Sequence, residues 1–243
     1  MRSVVRAAIV TAAVLTATGA NAANLIVNGS FETPLVPVGG FTSFPVGGAT
    51  LTNWSVTGPS GAEVAIVSGS FSQNGVTFNA QDGNQWLDLT GNGSNSTEGV
   101  AQIVFTIPGD HYELSFYVGN TTGGSIFGTT STVNVLLNGL PTFVATNSLS
   151  DATGLVWEQF IVDFIAGGGS STTIGFVNGD PIGDNSNGLD NVVLTDLSST
   201  VVPLPGALPL FATGLAGLGL LGWRRKKRAI AAFQRSIQTP DPH

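Results

Sequence analysis

The stretch GVAQIVFTIPGDHYELSFYVGN, residues 99–120, decides the fold of this chain. Apolar and polar residues alternate across residues 100–107 and again across residues 112–118. The cluster IPGDH joins the two segments and is rich in residues that favour turns. Alternation with a period of two indicates a strand with one buried face, so the stretch predicts two strands joined by a turn.

The same pattern recurs from residue 24 to residue 200. Further strands are predicted at TVNVLLN, EQFIVDFIA, TTIGFV and LDNVVLT, and shorter ones at NLIVN, TNWSVTG, AEVAIVSG and NQWLDLTG. Turn clusters such as NTTGG and AGGGSS separate them. No apolar run in this region keeps the period of a helix. About nine or ten short strands at this spacing predict an all-β domain, an antiparallel jelly-roll β-sandwich.

The charges of the chain are divided between its ends and its middle. All eight Lys and Arg lie before residue 7 or after residue 223, whereas fourteen of the fifteen Asp and Glu lie between residues 24 and 223. Because phosphate binding depends on Lys and Arg, a nucleic-acid partner is excluded. The absence of Cys excludes disulfides and thiolate metal sites. An all-acidic surface suits divalent cations, neutral sugars or simple solubility.

The N-terminal segment MRSVVRAAIVTAAVLTATGANAAN has the layout of a secretory signal peptide. Arg2 and Arg6 precede an apolar run over residues 7–17, and the small residues ANA follow it. We predict a signal peptide over residues 1–23, cleaved after Ala22 or Ala23. The alternative is an uncleaved membrane helix, for which the run is short, since a span takes about 20 residues.

The C-terminal segment VVPLPGALPLFATGLAGLGLLGWRRKKRA, residues 201–229, has three parts. A turn with two prolines comes first, an apolar run over residues 207–223 follows, and a basic cluster ends the segment. The run predicts a short transmembrane helix, and its Gly and Ala content suits close packing in lipid. The basic cluster would hold the short tail, residues 229–243, in the cytoplasm. That cluster consists of Arg224, Arg225, Lys226, Lys227 and Arg228.

This three-part layout resembles the PEP-CTERM sorting signal in its VPLP-type variant. The matching residues are Val202, Pro203, Leu204 and Pro205. The resemblance implies that an exosortase, a membrane-bound processing enzyme, recognises the segment and cleaves the chain near the motif. The protein would then be exported and transiently anchored in the inner membrane through its C-terminal helix. After processing it would belong to the cell envelope, the cell surface or the extracellular matrix.

The region between the two ends resembles the exported choice-of-anchor family, which is similar to galactose-binding-like β-sandwich domains. The resemblance rests on NGSFETP, LTNWSVTG, DGNQWLDLTG and GLDNVVLT, which follow one another in that order. It implies a jelly-roll β-sandwich over residues 24–198, followed by a linker and the sorting signal over residues 199–228. A role in sugar binding is implied by the same resemblance.

A catalytic site is not indicated by the residues of this domain, and we expect no enzymatic activity. Its histidine, His111, lies in the turn-like stretch PGDHYE with no nucleophile motif beside it. Paired carboxylates could hydrolyse a glycoside, but no pair stands out among the fourteen acids. The P-loop, Rossmann and HExxH motifs are absent from the sequence.

A structural calcium ion is the cofactor that the sequence suggests. In sandwiches of the galactose-binding type the first and last strands often lie together, which would bring Glu32 near Asp190. Carboxylates together with backbone carbonyl oxygens are ligands that Ca²⁺ prefers. The alternative is that Glu32 caps a turn and that Asp190 hydrogen-bonds to the first strand.

Three tryptophans, Trp54, Trp86 and Trp157, are the candidates for contact with a glycan. Sugar rings have apolar faces and polar rims, so an aromatic platform with a few polar groups can bind them. Further groups could come from Tyr117, Asn84, Gln85 and Asp88. The alternative is core packing, which is the usual role of an aromatic residue in a strand.

These features together predict an exported bacterial surface or matrix protein without catalytic activity, associated with exopolysaccharide in a biofilm. Two alternatives stay open. One is a carbohydrate-binding module with a defined glycan, which would give discrete hits on a glycan array. The other is a glycan hydrolase with an unrecognised carboxylate pair, which would turn such glycans over.

Overall fold

A computed structural model describes residues 23–48, 51–92, 95–181 and 187–198 of the chain. The predicted signal peptide, sorting motif, transmembrane helix and basic cluster lie outside these residues. Within the described ranges, no helix is long and apolar enough to cross a membrane. Strands dominate instead, and the only other regular element in these ranges is a short 3-10 turn at Gly123–Ser125.

The described residues form thirteen strands. In chain order they are β1 (Phe41–Pro45), β2 (Ser55–Thr57), β3 (Glu63–Ser68), β4 (Ser72–Gln73), β5 (Val76–Thr77), β6 (Gln85–Asp88), β7 (Gly99–Phe105), β8 (His111–Asn120), β9 (Ser131–Leu137), β10 (Leu140–Asn147), β11 (Val156–Ile165), β12 (Ser171–Asn178) and β13 (Gly188–Asp196).

Two antiparallel sheets face each other across one main core. The first sheet has six strands in the order β1-β3-β6-β13-β8-β11, and the second has five in the order β10-β9-β12-β7-β2. The β4–β5 hairpin forms a separate two-stranded ribbon. From β6 onward successive strands alternate between the two sheets, apart from the β9–β10 hairpin. The prediction of an all-β, antiparallel sandwich is therefore confirmed.

The opening stretch supplies one central strand to each sheet. In β8 the residues Tyr112, Leu114, Phe116 and Val118 are buried, and the residues between them point to the other face of the sheet. Phe116 packs edge-on against Phe176 of the opposite sheet, with ring centroids 5.0 Å apart. The alternation seen in the sequence thus places one face of each strand in the core.

The segment NLIVN does not form a strand, contrary to the prediction. It runs beside β13 in an irregular conformation, where Leu25 N–H donates to Leu194 O at 2.9 Å and Val192 N–H donates to Gly29 O at 3.0 Å. The side chain of Asn24 adds hydrogen bonds to the backbone of Val192 and Leu194. Beginning and end of the domain are therefore tied together, although without a regular ladder.

A second apolar cluster covers the outer face of the six-stranded sheet. It includes Val67, Phe78, Trp86 and Phe127, all buried, and it is separate from the core between the sheets. Burial on both faces explains the run of buried residues in β3, where Val64 and neighbouring residues are all inaccessible. The β4–β5 hairpin and the segment around Phe127 supply the covering side chains.

Buried asparagines tie the loops to the sheets. Asn178 Nδ2 donates to Asn95 Oδ1 at 3.0 Å and to the Ser96 carbonyl at 2.9 Å, while Asn187 Nδ2 donates to Asn178 Oδ1 at 2.8 Å. Asn147 in turn donates to the backbone of both β8 and β11. Between residues 24 and 223 the sequence has no Lys or Arg, so amide hydrogen bonds take the place that ion pairs hold in other domains.

Candidate functional site

A cleft opens on the outer face of the six-stranded sheet, where β1, β3 and β6 lie side by side. The β4–β5 hairpin and the segment around Phe127 flank it, and its volume is about 240 Å³. Aromatic rings and a few polar groups line this space, which we call the hairpin cleft. Its lining residues are Phe41, Ala65, Val67, Phe71, Gln73, Asp88, Gly91, Asn92, Ile126 and Phe127.

The hairpin that borders the cleft turns on two residues, Asn74 and Gly75. Both have positive φ, 51° and 83°, as a two-residue type I′ turn requires. Phe71 and Phe78 close the other end of the hairpin, since Phe78 N–H donates to Phe71 O at 2.9 Å. This tight turn therefore fixes the positions of Phe71 and Gln73 at the edge of the cleft.

A chain of aromatic rings forms the apolar side of the cleft. Phe41 and Phe71 meet edge-to-face with centroids 5.6 Å apart, and Phe71 lies 5.7 Å from Phe78. Phe78 in turn meets Phe127 edge-to-face at 5.1 Å and stacks on Trp86 at 6.1 Å. Phe41 keeps 39 % of its surface exposed, so the outer end of this chain offers a ring to a ligand.

Asp88 supplies the carboxyl group of the cleft. It lies on the outer face of β6, directly opposite Ala65 of β3. Thr90 donates two hydrogen bonds to its Oδ1 atom, from the backbone N–H at 2.9 Å and from Oγ1 at 2.7 Å. The backbone of Asn187 also hydrogen-bonds to this carboxyl group, so its orientation is fixed from two sides.

The surroundings of Asp88 favour its neutral form. Burial raises the pKa of the Asp88 carboxyl to about 7, and the nearby charge of Glu98 adds to the effect. The hydrogen bonds from Thr90 act in the opposite direction but are outweighed. Near neutral pH the cleft therefore holds a carboxyl group that both donates and accepts hydrogen bonds.

Amide groups complete the polar side of the cleft. Gln73 and Asn92 are exposed, so their side chains can reach a bound molecule. The backbone of Asn92 is fixed, because its N–H donates to Glu63 Oε1 at 3.1 Å. Aromatic faces beside a carboxyl group and two amides match the apolar faces and polar rims of a sugar.

Two of the predicted glycan contacts, Trp54 and Trp86, lie in apolar cores. Trp54 is 3 % exposed and sits between Phe31 and Phe176, with centroids 5.4 and 6.1 Å away. Trp86 is 1 % exposed, and its Nε1–H donates to the Phe78 carbonyl at 3.0 Å. Neither ring offers a face to a sugar in this structure.

Trp157, the third candidate, is half-buried on the outer face of the six-stranded sheet. Its ring lies over Gly119 of β8 and Gly188 of β13, at which a Cβ atom would come within 2.8 Å of it. Its Nε1–H donates to the Asn79 carbonyl at 3.0 Å, and the ring meets Trp86 edge-to-face at 6.0 Å. These contacts fit a packing role, and Trp157 does not line the hairpin cleft.

The two predicted calcium ligands meet at one loop. Glu32 Oε1 accepts hydrogen bonds from the backbone N–H groups of Asn84 and Gln85, at 2.7 and 2.8 Å. Asp190 Oδ2 accepts from the N–H groups of Gln81 and Asp82, at 2.8 and 3.0 Å. The two carboxylates therefore hold the same loop, residues 81–85, by its amide hydrogens.

These hydrogen bonds correspond to the alternative role of Glu32 in holding a turn. The loop turns N–H groups toward Glu32 and Asp190, whereas a calcium ion is bound by carbonyl oxygens alongside carboxylates. Burial raises the pKa of Asp190 to about 7, and a neutral carboxyl is a poor cation ligand. In the described part of the chain, no three His, Cys, Asp or Glu side chains cluster as a metal site. The geometry favours the alternative in which Glu32 caps a turn.

The cleft-lining phenylalanines were not among the residues predicted from the sequence. Asn74-Gly75 between short apolar stretches is a strong hairpin signal and would have indicated β4 and β5. The strand β1 and the edge strand β10 were also missed, because FTSFP and LPTFVATN each contain a proline that argues against a strand. Asp88 was named only as one of the polar groups that could accompany the tryptophans in glycan binding.

The comparison with protein families gives no match to this chain, and neither does the comparison with curated proteins. Solved structures do resemble it. An apo form cyclase from Fischerella sp. is 19 % identical, with a TM-score of 0.51, and the match covers 72 % of this chain and 96 % of the cyclase.

Two further structures resemble the chain at lower scores. TmCBM61 in complex with β-1,4-galactotriose is 17 % identical, with a TM-score of 0.42 and coverage of 72 % of this chain and 99 % of its own. The CBM22-1 xylan-binding domain of Xyn10C from Paenibacillus barcinonensis is 16 % identical, with a TM-score of 0.41 and coverage of 68 % and 99 %. At these identities the likeness bears on the fold alone.

Proposed function

We propose that this protein is an exported, non-catalytic β-sandwich that binds a neutral glycan in the hairpin cleft. The observation that carries the proposal is the cleft itself, in which Phe41 and Phe71 stand beside the carboxyl group of Asp88. A sugar can lay an apolar face on such rings while its hydroxyl groups bond to the polar side. The place of action would be the cell surface or the extracellular matrix, among exopolysaccharide.

Binding of neutral glycans tests this proposal. We expect discrete hits on a glycan array, and Phe71→Ala should weaken binding at least tenfold because the sugar loses an aromatic face that the hairpin holds in place. Phe105→Ala is the matched control, since Phe105 is 88 % exposed on the other sheet. Equal affinities of the wild-type and Phe71→Ala proteins in isothermal titration would contradict the assignment of the cleft.

A second function, glycan hydrolysis, has one observation in its favour. The carboxyl group of Asp88 has a pKa of about 7 and lies in a cleft, as a general acid would. Release of reducing sugar from a bound oligosaccharide, lost in Asp88→Asn, would support this alternative. Binding without turnover would support the non-catalytic function.

The sorting prediction is part of the proposal and depends on residues outside the described structure. The motif Val202 to Pro205, the apolar run and the basic cluster follow one another as in a PEP-CTERM signal. We expect the mass of the secreted protein to place its C-terminus near residues 202–205. A secreted form that keeps Arg224 to Arg228 would instead indicate a permanent anchor.

A structural calcium ion at Glu32 and Asp190 is the remaining proposal from the sequence. If it is bound, Ca²⁺ must displace the proton of Asp190, so its effect on stability should be larger at pH 8 than at pH 5. The melting temperature should then rise in millimolar Ca²⁺ relative to EDTA, with Mg²⁺ as the control. Equal melting temperatures in Ca²⁺ and EDTA at pH 8 would rule the ion out.

A further inference from the structure

Asp88 is the one ionisable side chain among the residues that line the hairpin cleft. It faces outward from β6, and its neighbour across the strand pair is Ala65, whose methyl group adds no polar contact. The rings of Phe41, Phe71 and Phe127 also line the cleft, and of these Phe127 is buried whereas Phe41 is exposed. A ligand that enters this cleft therefore meets one carboxyl group among aromatic rings and uncharged polar groups.

No basic group accompanies this carboxyl group. The charged residues on the elements around it are all acidic: Glu98 raises its pKa through its own charge, and Glu63 holds Asn92 at the rim. Asp190, whose pKa is also raised to about 7, lies on β13, which pairs with β6. No ionisable residue lies in the other elements around the cleft. These elements are FTSFP of β1, SQNGVT of the hairpin, and GGSIF of the 3-10 turn and its neighbours. The nearest Lys or Arg in the sequence lies before residue 7 or after residue 223.

The absence of a counter-ion makes the charge of the ligand decisive. A neutral sugar hydroxyl can donate to an ionised carboxylate or accept from a neutral carboxyl, so it fits both forms. An acidic sugar, which carries a carboxylate of its own, would face an ionised Asp88 without any compensating cation. In a partly enclosed cleft such repulsion is screened less than it is at an exposed surface. A neutral Asp88, by contrast, can donate a hydrogen bond to that second carboxylate.

We propose that Asp88 is the specificity-determining residue of the hairpin cleft. It admits neutral sugars at any pH but admits uronic acids only when its own carboxyl group is protonated. This inference rests on the proposed glycan binding and adds to it the class of ligand that is rejected. The same side chain thereby links the choice of polysaccharide to the acidity of the surroundings.

Matched pairs of trisaccharides test the inference on the full-length chain. The probes are neutral trisaccharides of galactose, glucose and mannose, each beside the corresponding trisaccharide of galacturonic, glucuronic or mannuronic acid. For the pair that binds, we expect the Kd of the neutral member to change less than threefold between pH 5.5 and pH 8.5. The Kd of the acidic member should rise at least tenfold over the same interval.

The variant Asp88→Asn separates the role of charge from that of structure. Its amide keeps an oxygen that can accept the hydrogen bonds from Thr90, and thermal unfolding verifies that the fold is retained. We expect this variant to bind the acidic trisaccharide with less than threefold change between the two pH values. Glu63→Gln, at the rim of the cleft, is the control and should keep the tenfold dependence.

The outcomes are distinct for the inference and for the proposed function. Binding of an acidic trisaccharide that is independent of pH in the wild-type protein overturns the inference. Binding of only the neutral member at both pH values overturns it as well, while glycan binding stands. A pH dependence that persists in Asp88→Asn assigns the selection to another group. No binding of any trisaccharide by any of the proteins overturns the proposed function and the inference together.

Discussion

Trp157 rests on two glycines that are directly paired across the six-stranded sheet. Gly119 of β8 and Gly188 of β13 are partners in the register, and the indole ring covers both. The ring can lie this close to the sheet only because neither residue has a Cβ atom. The side chain that the sequence suggested for sugar binding is in this structure a cover for the strands beneath it.

The variant Gly119→Ala tests this packing. Its Cβ would lie 2.8 Å from the Trp157 ring, so the ring must shift, and we expect the free energy of unfolding to fall by about 1–3 kcal/mol. Tryptophan fluorescence should change together with stability. Gly167→Ala is the control, because a Cβ there meets no atom within 4 Å. If the two variants melt at the same temperature, Trp157 is not packed as described.

The roles of single residues were only partly predictable from the sequence. The family resemblance predicts that Glu32 lies near Asp190, and in the structure both accept hydrogen bonds from one loop, residues 81–85. Their partners could not be foreseen, since which backbone groups of residues 81–85 face them depends on the conformation of a loop. Trp54 and Trp86 stood in strands whose buried face could not be assigned from alternation alone.

At the scale of elements, most strands followed from the sequence, whereas β1, β4, β5 and the eight-residue β10 did not. β7, β8, β9, β11, β12 and β13 all overlap segments that alternate over six or more residues. The two-residue strands β4 and β5 show no periodicity, so only their Asn-Gly turn could mark them. This small hairpin is nevertheless the element that borders the candidate site.

The variant Gly75→Ala tests how strongly the turn holds the hairpin. At a φ of 83° an alanine is strained, although no atom lies within 4 Å of the added Cβ, so we expect a loss of about 1 kcal/mol. Amide hydrogen exchange should speed up at residues 71–78 and stay unchanged in β8. Asn74→Gly, which tolerates positive φ, should exchange like the wild-type protein. Unchanged protection in Gly75→Ala would show that the hairpin is held by Phe71 and Phe78 rather than by its turn.

At the scale of the whole molecule, the separation of charges dominates. Every charged side chain of the domain other than His111 is acidic, and desolvation raises the pKa of two carboxyl groups, Asp88 and Asp190, to about 7. Composition alone predicted the acidic surface and the absence of nucleic-acid binding. It could not predict which acids are buried, because that depends on the register between β6 and its neighbours.

The stability of the domain should therefore decrease as pH rises from about 4 to about 7. In this window the folded chain binds more protons than the unfolded chain, whose Asp residues titrate near 3.9. The stability that Asp88 and Asp190 contribute is fully present below the pKa of Asp in the unfolded chain. It is lost as pH rises through the pKa of each group in the folded chain, by an amount on the order of 2–3 kcal/mol for each group.

Urea unfolding at a series of pH values measures this loss. Asp88→Asn cannot ionise at that position, so its stability should fall by about half as much as that of the wild-type protein. Ser43→Ala, a change without charge on β1, is the control and should leave the slope unchanged. A wild-type stability that is constant or rises between pH 5 and pH 8 would contradict the assigned pKa directions.

The hydrogen bonds by which buried asparagines hold the loops affect how the domain responds to salt. Hydrogen bonds between buried amides are not weakened by dissolved ions, whereas attraction between exposed opposite charges is. The carboxylates of the surface repel one another, and added ions reduce that repulsion. A high salt concentration should therefore leave the hydrogen bonds of Asn147, Asn178 and Asn187 unchanged and reduce the repulsion between the surface carboxylates. The stability of such a domain should therefore change little over a wide range of salt concentrations.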